Sequence, residues 1–229
     1  MTKTLATAVL FVFVALGARA QPDDTALTMA PVDEVFSFMG GQLKLVTDDS
    51  SPYPAALPSP GEAARFEKFL EVHPDDTLLF VRGDRILRRV TPRDDLYRLG
   101  GALPLSDSSR ESDRALASEA PDRIEVYAIS ARLTLTDQIT GFEETTGDAG
   151  TPAVVLSLSP AASAALKEMT TRHQGQQVAT ILDRWLLSSP LVEQPLDTDR
   201  LVIDVGGQQD PSTRTEIMNI LKSLVRPPE

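Results

Sequence analysis

Two stretches a hundred positions apart are written to one plan, and that repetition limits the fold more than any other feature of the chain. The first opens with Ser59-Pro60 and Glu62: a serine N-cap, a proline in the first helical position and a glutamate three residues past the cap. Ala63, Phe66, Phe69 and Leu70 then put an apolar stripe on one helical face until His73-Pro74 stops it. A buried strand, Thr77 to Val81, leads through Asp84-Arg85 into Ile86-Leu87, and Pro92 closes the unit.

The second stretch opens with Ser159-Pro160, and Ala162, Ala165, Leu166 and Met169 make its stripe. It runs out at His173 with Gly175 placed as a cap. Val178 to Leu182 is the matching strand, Asp183-Arg184 answers Asp84-Arg85 with a shift of one, and Pro190 answers Pro92. The only two histidines, His73 and His173, stand at the same place in both copies. A strand-helix-hairpin order is common in α+β domains, so the shared details point either to duplication or to two related lobes. The expected fold is α+β, two lobes each with a strand-helix-strand-turn-strand unit.

The ends bound the rest. Residues 1–20 read as a secretory signal peptide: a charge at Lys3, an apolar run from Leu5 to Leu16, and the small-x-small site Ala18-Arg19-Ala20. The run is shorter than the roughly 20 residues a membrane-spanning helix needs. The rival reading is an uncleaved anchor. No cysteine follows the run, so a lipoprotein is excluded. The expected location is the periplasm. No later stretch is apolar enough to span a membrane as a helix. The chain carries a net charge of −11, and Lys3 and Arg19 lie in the signal, leaving −13 for the rest. That acidity argues against nucleic acid and anionic lipid as partners; solubility explains it more simply than an acidic binding face. With no cysteine in 229 residues, stability must come from packing.

Residues 21–34 are polar and acidic with little periodicity, which predicts a flexible lead-in. Residues 21–122 are expected to form the N-terminal lobe, with a Ser/Asp/Arg/Glu-rich mobile connector at 105–120, and 123–229 the second domain. Gly41 to Val46, Arg123 to Ile129 and Ala153 to Leu158 read as strands. Asp210-Pro211 followed by Ile217, Ile220, Leu221 and Leu224 predicts an amphipathic terminal helix.

Reactive constellations are missing. Two histidines without a cysteine make neither a thiolate nor a three-histidine zinc site, and the histidines are expected to sit against helix C-termini. The acidic pairs Asp48-Asp49, Asp75-Asp76, Asp94-Asp95 and Asp197/Asp199 lack calcium-loop spacing and read as solvated turns. No nucleophile elbow, Ser-x-x-Lys word or phosphate loop is present. No metal, cofactor or catalytic residue is therefore expected. Trp185, Leu186 and Leu187 are the candidate contact for a peptide or protein partner, as an exposed aromatic landing site beside a sheet edge open to an added strand. The plainer reading of Trp185 is a core or hairpin-edge aromatic.

One family shares the order of words in the second half. The strand from Val154 to Leu158, Ser159-Pro160, a helix ending at Thr170, and the turn at Gly175 come first. The apolar strand ending at Asp183, the exit Ser188-Ser189-Pro190 and the ending Ile203-Asp204-Val205-Gly206-Gly207 follow. Over about residues 130–225 this resembles the head subdomain of the periplasmic first domain of SecD, a subunit of the bacterial protein-export machinery. Two positions depart from the pattern: Arg184 stands where glycine commonly follows the aspartate, and Gln176 where lysine is usual. The resemblance implies the head fold, with Thr170, Gly175, Asp183, Ser189, Pro190, Gly206 and Gly207 as framework positions. It also implies an association with exported polypeptide, while the transmembrane motor of SecD proper does not carry over. The expected function is a non-enzymatic periplasmic binding or accessory module touching polypeptide or an envelope partner. The alternatives are a carboxylate-based periplasmic hydrolase and an inhibitor- or immunity-like protein.

Overall fold

The computed structural model describes residues 26–39, 44–46, 55–57, 59–91, 103–104, 123–147, 150–205 and 211–225. The signal-peptide reading of 1–20, the connector at 105–120, the acidic pairs Asp48-Asp49 and Asp94-Asp95, and Gly206 and Gly207 lie outside those residues.

The described chain begins with its longest strand, β1 (Leu27–Met39), part of which falls where a flexible lead-in was expected. The strand hides from a period-two reading for a physical reason. Leu27 and Met29 face one core and Ala30 and Val32 another, until the register shifts between Val32 and Glu34. Beyond that irregularity Phe36 and Phe38 face a third core, and exposed Asp33 and Glu34 interrupt the apolar pattern.

In order follow β2 (Lys44–Val46), β3 (Ala55–Leu57), α1 (Pro60–Val72), β4 (Thr77–Arg82), β5 (Arg85–Val90) and β6 (Leu103–Pro104). The second half gives β7 (Arg123–Ile129), β8 (Leu133–Thr134), β9 (Ile139–Thr146), β10 (Pro152–Leu158) and α2 (Pro160–Arg172). It ends with β11 (Gln177–Leu182), β12 (Trp185–Ser188), β13 (Arg200–Asp204) and α3 (Pro211–Ser223). Both predicted caps form. The Ser59 hydroxyl oxygen accepts from the Glu62 amide and that of Ser159 from the Ala162 amide, while His73 and His173 are the C-caps. Capping of this kind stabilises a helix by about 1 kcal/mol each.

The strands do not sort into two separate lobes. β1, β7, β4, β5, β12 and β11 pair in that order, all antiparallel, and β11 returns to β1, closing a six-stranded barrel. Closure removes the unpaired edges that an open sheet of this size would expose. All six strands send side chains into the interior, among them Ala30, Leu79, Ile86, Ile129, Ile181 and Leu186. Each half keeps a small satellite to itself: the three-stranded sheet β2-β3-β6 in the first, and the three-stranded sheet β9-β10-β13 packed with α2 in the second. Two satellites on one shared barrel replace the expected pair of lobes.

Two further cores pack the helices onto the strands. Under α1, Phe36, Phe38, Phe66, Phe69 and Phe80 gather with ring centroids 4.7 to 6.2 Å apart. Under α2 and α3, Leu156, Leu166, Leu182, Trp185, Ile217 and Leu221 pack together. Burying a side chain such as Leu166 stabilises the fold by roughly 1.5–3 kcal/mol before the cost of ordering it.

Candidate functional site: the hairpin seam and the satellite edges

The β11–β12 hairpin carries most of the residues singled out in the sequence. Its turn places Asp183 at φ 50°, the counterpart of Gly83 at φ 63° in the β4–β5 hairpin. The two turns therefore align at an offset of one hundred with no shift: Gly83 answers Asp183, and Arg85 answers Trp185. The left-handed residue is the first of the loop, where aspartate is tolerated, so Arg184 has no need to be glycine.

Trp185 is 3% exposed and packs into the core beneath α2 and α3. The exposed landing site gives way to the core reading, because β12 lies between β11 and β5 and its outer face is covered. Leu186 points into the barrel, and Leu187 is half-buried against the α2 core. The Arg85 and Arg184 guanidinium carbons lie 5.2 and 5.6 Å from the indole centroid. Arg184 also bridges to Glu216 of α3 at 3.0 Å, and an Arg89 guanidinium donates to the Asp183 carbonyl. Burial raises the Asp84 carboxyl above its ordinary range, with its own backbone hydrogen bond and Arg85 pulling the other way.

The seam itself is thin. Trp185 and Arg85 are the one bridged pair between β12 and β5, flanked by Ile86 N–H donating to Arg184 O at 2.7 Å and Leu186 N–H to Asp84 O at 2.8 Å. β11 is paired on both sides, by β1 and β12, so it offers no edge to an added strand, while β12 meets β5 only around Trp185. Strands at a sheet end are β9 and β13, which flank β10, together with β2 and β6, which flank β3, and β8 beside β1; of these, β9 is the longest. Thr140, Glu143, Glu144, Thr145 and Thr146 are exposed along β9, and Val202 is 62% exposed on β13.

The framework positions hold structure. Thr170 is fully buried; its hydroxyl donates to Leu166 O at 2.8 Å and accepts from the Leu196 amide at 2.9 Å. Gly175 sits at φ 82°, and its amide donates to Val192 O at 2.9 Å. Ser189 has a buried hydroxyl, and Pro190 O accepts from the Val178 amide at 3.0 Å.

One cluster escaped the sequence reading. His73 is 7% exposed, with Nδ1 2.7 Å from Asp76 and Nε2 3.0 Å from Glu34, and its ring lies 4.8 Å from that of Phe69. Burial opposes a charge on this imidazole, yet the hydrogen bonds that its ring N–H groups donate to the Glu34 and Asp76 carboxylates prevail and raise its pKa above the ordinary 6.5. Asp76 is thus bound to the helix end instead of being merely solvated. A signal was available in the i, i+3 spacing of His73 and Asp76; the Glu34 contact, 39 residues away, has none. His173 meets only Gln176, at 2.6 Å.

Among the described residues, no group of three or more His, Cys, Asp or Glu side chains is arranged to hold a metal ion. Among the described residues, the two buried acids have structural posts: Glu62 accepts from the Ser59 hydroxyl at 3.1 Å at the start of α1, and Asp183 stands in the hairpin turn.

Residues 114–223 match the family model of the SecDF P1 head subdomain. The SecD P1 head-like segment thus takes in β7 as well as the second satellite, starting earlier than the motifs at 130–225. Solved SecDF structures are similar to this chain at a distance. One, described as a membrane component that enhances protein export, is 14% identical with a TM-score of 0.37, over 86% of this chain and 93% of that one. A super-membrane-facing form of SecDF is 16% identical with a TM-score of 0.37, over 90% of this chain and 30% of that one. The translocon-associated SecDF of Thermus thermophilus is 15% identical with a TM-score of 0.32, over 89% and 29%. The chain therefore spans about a third or less of the length of the latter two. No curated protein matches it. Among the described residues, no helix is long and apolar enough to cross a membrane.

Proposed function

We propose that this protein is a non-enzymatic accessory module of bacterial protein export, working in the periplasm and touching exported polypeptide or an envelope partner. The match of residues 114–223 to the SecDF P1 head subdomain carries this reading. The contact is assigned to the second satellite, with an extended segment pairing along β9 by backbone hydrogen bonds. Trp185, Leu186 and Leu187 then hold the barrel that carries the satellite.

A photo-crosslinking residue at Glu144, on exposed β9, tests the assignment in envelope preparations; the same residue at Lys222 of α3 is the control. The expected result is an adduct with an exported chain or a translocon component at 144 alone. Equal labelling at both positions, or none at 144, overturns the assignment.

A further inference from the structure

We infer that the chain is two strand-exchanged copies of one folding unit, each half being the binding partner of the other, with the barrel as their interface. All seven elements described in the first half have counterparts in the second, which adds β8 and α3. β1, β2, β3, α1, β4, β5 and β6 answer β7, β9, β10, α2, β11, β12 and β13, and the two satellite sheets share one strand order. Both helices run thirteen residues from a Ser-Pro start to a histidine C-cap.

The pairing is that of a dyad. Thr77 of the first half faces Ile129 of the second, while Gln177 of the second faces Val32 of the first. Val32 and Ile129 are therefore equivalent, and they pair with each other. Arg85 and Trp185 are equivalent and also pair with each other. The flanking hydrogen bonds are reciprocal: residue 86 donates to 184, and residue 186 to 84. In a two-fold interface, residue i meets j while j meets i, and this barrel shows that pattern within one polypeptide.

Four of the six barrel seams, β1–β7, β7–β4, β5–β12 and β11–β1, join different halves; only the two hairpins are internal to one half. Alone, the SecDF-matching half would keep β7 without β1 or β4, and β11 without β1. Its buried backbone groups would lose their partners, which a folded domain rarely tolerates. The matched segment is thus half of a self-complementary pair and is not an independent domain.

The test keeps the full chain. A protease site inserted between Leu105 and Ala120, outside the described residues, is cleaved after folding. The two pieces are expected to co-elute at the size of the uncut protein with an unchanged circular dichroism spectrum. Recovery of either piece as a folded monomer overturns the inference. Native-state amide exchange on the uncut protein gives an independent readout: Leu79 of β4 and Ala179 of β11 should open with one shared free energy. Two separate opening energies, one for each half, overturn it as well.

Discussion

Replacing Trp185 separates a core role from a contact role, because the two differ in what the substitution damages. The indole is 3% exposed between the α2 core and the β5–β12 seam. Truncating a buried tryptophan to alanine costs about 3–5 kcal/mol in transfer and cavity terms. The two guanidinium contacts, at 5.2 and 5.6 Å, add roughly 0.5–1 kcal/mol each where partly exposed. The terms overlap, so Trp185→Ala should lower stability by about 4 kcal/mol, a large share of the 5–15 kcal/mol typical of a folded domain. Trp185→Phe should lose only about 1–2 kcal/mol: it keeps the ring, and the indole Nε1 has no hydrogen-bond partner to forfeit. Urea titration followed by far-ultraviolet circular dichroism measures both variants. Trp185 is the only tryptophan, so wild-type emission should also be blue-shifted and resistant to acrylamide. An alanine variant within about 0.5 kcal/mol of wild type, the range of ordinary surface changes, would refute the core argument. Red-shifted, readily quenched wild-type emission would do the same.

Three other substitutions test particular contacts. The protonated His73 ring is held by Glu34 and Asp76, so its stabilisation is complete below about pH 6.5 and is lost as pH rises through its raised pKa. The urea midpoint of wild type relative to His73→Gln should fall over that rise; a difference that stays flat with pH shows that the ion pairs contribute nothing. Thr170→Val strands the Leu196 amide and should cost about 1–3 kcal/mol by thermal unfolding, whereas an unchanged melting temperature denies the bond its role. Gly175→Ala forces a Cβ onto φ 82° and should cost about 1 kcal/mol, although nothing lies within 4 Å of that Cβ, so relief of crowding cannot mask the strain.

Much of the local structure was legible because it depends on neighbours in sequence. The Ser-Pro helix starts, the histidine stops and the apolar strands after them follow from capping, proline geometry and short-range periodicity. The strand at residues 27–39 was not legible, since its side chains serve three cores in turn and a register shift breaks its alternation. The histidine cluster was half legible: Asp76 lies three residues from His73, but Glu34 is brought to it only when β1 meets the end of α1.

By itself the amino-acid sequence determined two Ser-Pro helix starts, each with an apolar strand and a turn after it, the lack of thiol chemistry, and a second half written in the words of the SecD head. Only the tertiary structure decided how those units are joined. Each hairpin leaves its own half to pair with the first strand of the other, and the choice between pairing within and across halves is made by long-range backbone bonds that no local pattern encodes. That exchange buries Trp185 and pairs β11 on both sides, and a strand so paired has no backbone groups left to offer.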